Sequence, residues 1–236
     1  MRKRDLEILK SLEKFKVLSR DQIASLHFSN NARPHISANN VLKRLRRDGY
    51  ILANCDRSFE QYIYFINPSP IKIDSQKIDH HLMINQGYID MQKYGKVNTF
   101  EIESKLENAD FRSDAMANWL GCNWFIEFQN SLYSIKQLYD KINKYVEYYN
   151  NCHWKDEKLL IVGKINMKFN PNDYPFKVKQ IDCIDELKLD IQAMQEKRLM
   201  EFKGKVKGNN RTPVNGSNGV AMVLKSNGNG TLSIRL

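Results

Sequence analysis

The chain has 236 residues, 42% of them hydrophobic, which suits one large domain or two small ones with a real core. Its formal net charge of +10 suggests a polyanionic partner, most often nucleic acid. No apolar run approaches the roughly 20 residues of a membrane span, the basic start MRKRDLEILK lacks the apolar stretch of a secretory signal, and four widely spaced cysteines without a CxxC read as free thiols, so a cytoplasmic chain with no membrane partner is expected.

The charge is unevenly spread. Residues 1–67 carry 13 Lys+Arg against 7 Asp+Glu, and residues 203–236 carry 6 basic residues and no acidic ones. The middle, 68–202, has 18 basic and 20 acidic residues. Basic ends on a slightly acidic centre suggest that nucleic acid is met first by the termini.

In chain order, residues 5–15 predict a helix, with Leu6, Ile8, Leu9, Leu12 and Phe15 at near-helical spacing. Ser19 with Gln22 three residues on is a capping-box pattern opening a short helix over 21–26. SNNARPHIS reads as a loop, and Ser37 as the cap of a third helix over 38–48, closed by Gly49. YILA and QYIYFI around the polar NCDRSFE predict a β-hairpin. Three helices and a hairpin, in that order, predict a winged helix-turn-helix over residues 1–67. In its third helix Ala38, Val41, Leu42 and Leu45 form an apolar stripe. The other positions, Asn39, Asn40, Lys43, Arg44, Arg46 and Arg47, are residue types that pair with base edges and hold phosphates, so double-stranded DNA is the expected partner. Arg57, in the hairpin turn, would touch the DNA backbone.

Asn67-Pro68-Ser69-Pro70 predicts an extended linker over 68–74. After it come a helix over 78–94, strands in VNTFEIES, FRSDAMANW and NWFIEFQ, a helix over 134–150, and an apolar strand KLLIVGKI. Helix, three strands, helix, strand is the core order of the PD-(D/E)XK nuclease superfamily. Residues 75–170 are thus expected to form a restriction-endonuclease-like mixed α/β domain, making the chain α/β in class, α+β overall. A charged helix over 185–202 would close a helical extension, 171–202. The basic tail 203–236 is rich in Gly, Asn and Ser; AMVLK and TLSIRL around SNGNG predict a terminal hairpin that needs a partner surface, in a homodimer or on a replication protein.

The second and third of those strands hold a chemical constellation. With Leu120-Gly121 as a two-residue turn, Asp114 falls opposite Glu127 and Arg112 opposite Gln129. Two facing carboxylates repel, and either a raised pKa or a divalent cation such as Mg²⁺, held by Asp114 and Glu127, would relieve that. The nuclease motif has Glu-x-Lys where this chain has Glu127-Phe128-Gln129. A glutamine orients water but brings no charge, so a lysine from the next helix, Lys136 or Lys141, would have to reach in; Lys141 shares a helical face with Tyr145.

These motifs together resemble the replication-relaxation family of plasmids, phages and related mobile elements. The likeness runs over residues 5–165. It rests on VLKRLRRDGYI with its hairpin, on His80-His81 opening a helix, and on RSDA where the family tends to have Pro-Asp-Ala. It continues with FIEFQNS, where the family tends to have Glu-x-Asp, and with DKINKYVEYY as a Lys-x-x-x-Tyr helix. The resemblance implies DNA binding in replication or its control. It marks Asp114, Glu127 and Lys141 as site residues, with Tyr145 in support, and leaves a role open for His81. With Gln129 in place of the acid it implies a nuclease-like domain of weak or absent activity. Two alternatives stand beside it: a metal-dependent DNA nickase, and a winged-helix transcriptional regulator whose second domain dimerises or binds a partner.

Overall fold

Two sheets and six helices build the part of the chain that the computed structural model describes, residues 1–55, 61–106, 108–129, 135–151, 153–164 and 170–208. The class is mixed α/β. No described helix is long and apolar enough to cross a membrane, and Cys55, Cys122 and Cys183 are free thiols.

The first 66 residues give α1 (Lys3–Phe15), β1 (Leu18–Ser19), α2 (Arg20–His27), α3 (Pro34–Arg47), β2 (Ile51–Asn54) and β3 (Ile63–Ile66). The three strands form an antiparallel sheet in the order β1-β3-β2. The capping box at Ser19 forms as the sequence predicts: Gln22 N–H donates to Ser19 Oγ at 3.2 Å, and Ser19 N–H donates to Gln22 Oε1 at 3.1 Å. The third helix begins earlier than expected. Pro34, whose missing N–H costs nothing at a first helical position, opens it. Ser37 is therefore inside the helix, and its hydroxyl accepts from Asn31 Nδ2 at 3.0 Å.

The second sheet has the order β4-β5-β6-β7-β8, from β4 (Val97–Ile102), β5 (Ala115–Trp119), β6 (Cys122–Phe128), β7 (Lys158–Val162) and β8 (Val178–Ile181). The pairs β4–β5 and β5–β6 are antiparallel; β6–β7 and β7–β8 are parallel. Strand β8 was not expected; its sequence VKQI is short and two of its four residues are polar. It pairs beside β7 at the sheet's edge, inside what reads in the sequence as a helical extension.

Helix α4 (Ile78–Tyr94) covers one face of this sheet, where Ile84 and Met91 join Ala115, Trp119, Ile126, Phe128 and Leu160. The approach is close: a Cβ on Gly87 would lie 2.3 Å from the Phe128 ring. Helix α5 (Ile135–Asn150) covers the other face, with Leu138, Ile142 and Tyr145 against Phe125, Leu159 and Ile161. Central strand β6 is thus buried on both sides, which is why its second half reads as a nearly unbroken apolar run.

The stretch 68–74 is not a loose connector. Ile71 and Ile73 pack onto Val17, Ile63, Phe65 and Ile78. Helix α4 also ties the first sheet to the second: Asn85 Nδ2 donates to Val17 O at 2.6 Å, and Gln22 Nε2 to Leu82 O at 2.7 Å. Tyr88 meets both Phe15 and Phe100, with ring centroids 5.0 and 4.9 Å away. Met1–Ile191 is accordingly one compact unit. Helix α6 (Lys188–Gly208) starts within it, and residues from Gln192 belong to a second unit. Cys152 and the terminal hairpin expected over 221–236 lie outside the described residues.

Candidate functional site

Two places gather the residues singled out in the sequence. The first is the outer side of α3. Ala38, Leu42 and Leu45 are buried, so the helical period turns Asn39, Lys43 and Arg46 to one exposed side and Asn40 and Arg47 to its neighbour. Asn39, Lys43 and Arg46 line a cavity of about 460 Å³ together with Arg20, Gln61, Tyr62 and Tyr64. Among the described residues no acidic side chain lines it. Arg46 Nη1 lies 3.3 Å from Cys55 Sγ, and Arg47 pairs with its neighbour Asp48 at 2.9 Å.

Arg44 does something else. Its guanidinium forks onto Asp5 of α1, Nη2 to Oδ1 at 2.7 Å and Nη1 to Oδ2 at 3.1 Å. Asp5 is 1% exposed. The charge of Arg44 is thus spent on joining α3 to α1, a role that residue type and spacing in one helix do not reveal. Arg57 lies outside the described residues.

The second place is the start of β5 and the end of β6. Leu120 and Gly121 both have positive φ, 54° and 74°, the mark of a two-residue hairpin turn. Trp119 faces Cys122 and Ala115 faces Ile126, a register that brings Asp114 opposite Glu127 as the spacing predicts. Both carboxylates lie on the α5 side. Lys141 Nζ bridges them, 2.5 Å from Glu127 Oε2 and 3.5 Å from Asp114 Oδ2. Tyr145, one turn further along α5, donates its hydroxyl hydrogen bond to Glu127 Oε1. Asp114 Oδ2 also accepts from the Phe128 N–H at 2.8 Å. Lys136, the other lysine considered, is exposed.

Two expectations change. Arg112 is exposed and points its guanidinium at Glu103 O, 3.4 Å away, so it does not join the cluster. Conversely His80, at the start of α4, reaches Asp114 Oδ1 with Nε2 at 3.2 Å. The His80-His81 pair is visible in the sequence, where the resemblance leaves a role open for His81, but it is His80 that meets Asp114. That ring is 2% exposed, and burial lowers its pKa. Which of two adjacent histidines faces the sheet edge depends on how α4 is rotated on the sheet.

The electrostatics of the pair are asymmetric. Glu127 is 2% exposed, and burial first, then the charge of Asp114, pushes its pKa up to about 8. Burial works upward on Asp114 too, but hydrogen bonding from His80 and the charge of Lys141 outweigh it and hold that carboxyl below its ordinary value. Burial and Glu127 raise Tyr145 well above a normal phenol, so it stays a donor. One proton and one ammonium thus keep two buried carboxyls together.

The oxygen donors gathered here are of the type that a divalent cation such as Mg²⁺ takes. Gln129 continues the ladder through its N–H to Val162 O at 2.8 Å, and the strand period places its side chain on the Glu127 face. It is 4% exposed, and neither amide atom has a hydrogen-bond partner among the described residues. Glu127 Oε2 likewise has no hydrogen-bond donor in good geometry there, beyond its charge contact with Lys141. No group of three or more His, Cys, Asp or Glu suited to a metal gathers among the described residues. A cation would therefore rest on Asp114, Glu127, the Gln129 amide oxygen and water, a set that suits Mg²⁺.

Compared with protein-family models and with curated proteins, the chain matches none.

Proposed function

We propose that this chain is a DNA-binding protein of a plasmid, phage or other mobile element, acting in replication or its control. The first three helices and sheet would serve as a winged helix-turn-helix, laying α3 against duplex DNA. The observation that carries this is the cavity beside α3 lined by three basic side chains, Arg20, Lys43 and Arg46, with Asn39 and Tyr62. The resemblance to the replication-relaxation family supplies the biological setting. Duplex binding measured over a salt series tests it. Lys43→Ala with Arg46→Ala should weaken binding and flatten the salt dependence. Unchanged affinity would remove α3 from the interface.

A second reading is favoured by one observation, the reach of Lys141 to both carboxylates. It supplies the positive charge that Gln129 lacks, so the restriction-endonuclease-like half would be a metal-dependent nickase. Asp114 and Glu127 would hold the cation. When bound, Mg²⁺ would polarise a phosphodiester and lower the pKa of an attacking water. The chain's own residues do the rest. The Phe128 N–H and His80 fix the Asp114 carboxylate, Tyr145 orients Glu127, and Lys141 offers charge to a developing oxyanion. Supercoiled DNA incubated across a series of divalent metals tests this. Nicking that disappears in Asp114→Ala and Glu127→Ala supports it, and intact DNA in every metal refutes it.

A further inference from the structure

The ammonium of Lys141 stands where a shared cation would stand. It touches one oxygen of each carboxylate, at 2.5 and 3.5 Å, while the other oxygens are held by His80 and Tyr145. Glu127 is almost fully enclosed, whereas the Lys141 side chain keeps 24% of its surface open. A lysine on a four-carbon stem can swing outward through that opening, whereas the short side chains of Asp114, just before β5, and Glu127, within β6, have no comparable reach. The Gln129 amide, on the same face of the strand as Glu127, has no hydrogen-bond partner among the described residues and is a further oxygen donor for a cation there.

We propose that Lys141 is a tethered placeholder that competes with a divalent cation for the Asp114–Glu127 pair. This rests on the metal-dependent reading above and adds a regulation to it. With Lys141 inward the carboxylates are neutralised and the site is closed to metal. With a cation bound, the ammonium is displaced toward the opening, where an incoming phosphate is its natural partner. Phosphate and metal would thus load together, because each draws the lysine and the carboxylates apart. Two like charges within about 4 Å disfavour each other even at an effective dielectric of about 20, so the cation and the ammonium compete for the pair.

Binding of Mn²⁺ to the full chain, read by the EPR signal of the free ion, tests this without any activity measurement. Lys141→Met should bind Mn²⁺ at least about tenfold more tightly than the unaltered protein, and Lys141→Arg, which keeps the charge, should bind like the unaltered protein. Equal affinity in all three would overturn the competition and leave the metal site standing. No Mn²⁺ binding by any of them would overturn both the competition and the metal-dependent reading. If Lys141→Met unfolds without metal, thermal unfolding replaces the titration. Recovery of the fold by Mn²⁺ supports the proposal, and failure to recover it overturns the proposal.

Discussion

Asp5 with Arg44, and Asp114 with Glu127 and Lys141, are two ion-pair sites built from the same kinds of side chain, and they differ in stoichiometry. In the first, one acid meets one base in a two-bond fork. The hydrogen bonds from Arg44 hold Asp5 below its ordinary pKa, and the charges cancel. In the second, two acids share one ammonium, and Glu127 has to keep its proton to be tolerated. A balanced pair is complete and fastens helix to helix. The second keeps its extra acid only by raising that acid's pKa, and a buried carboxyl so shifted beside a charged partner is a common physical signature of a functional site.

The largest expected effect comes from deepening the imbalance. Lys141→Met should destabilise the protein by about 3 kcal/mol in urea unfolding, because it leaves Asp114 and Glu127 without the ammonium they share. Adding Glu127→Gln should restore much of that loss. If the double variant is no more stable than the single one, the imbalance is not the cause.

The two sites should also respond to pH with opposite sign. The raised pKa of Glu127 gives stability that is fully present below its ordinary value of 4.5 and is lost as pH rises through about 8. In chelator, Glu127→Gln should therefore flatten the fall in stability between those values. Asp5, whose pKa is lowered, contributes above its ordinary 3.8 and loses that contribution as pH falls. The acid-side slope should shrink in Asp5→Asn while the alkaline side stays unchanged.

On α3 the same contrast separates structure from binding. Lys43→Ala with Arg46→Ala should weaken duplex binding by about tenfold and lower the salt slope by about 2, with little effect on stability. The smallest effect on affinity is expected from Asp5→Ala, which frees Arg44 without removing it. It should destabilise less than Lys141→Met, because Arg44 is 32% exposed and can turn to water. A large loss of DNA affinity in Asp5→Ala would mean that the fork positions α3 for binding.

Much of this was legible in advance where the signal is local. Ser19 and Gln22 are three residues apart and satisfy each other, so a helix start could be read from two letters. The Leu120-Gly121 turn set the pairing of Asp114 with Glu127, because a two-residue hairpin leaves no freedom of register. The reach of Lys141 was open in the sequence, since its face carries Tyr145 but its distance to the sheet depends on how α5 lies on β6. The start of α3 was misplaced because Ser37 offered a good cap, and Pro34 outcompeted it by the fit of its fixed φ to a first helical turn.

Sequence alone determined most of the elements, though not β8 or the start of α3, together with the basic character of α3 and the register of the carboxylate hairpin, since each depends on neighbours in the chain or on a short turn. Tertiary structure decided which charges cancel. It gave Arg44 to Asp5 across 39 residues and Lys141 to the acid pair across 14 and 27. It chose His80 over His81 and packed 68–74 into the body of the fold. Ion pairing and burial act through space, and their partners are set only when helices come to rest on sheets.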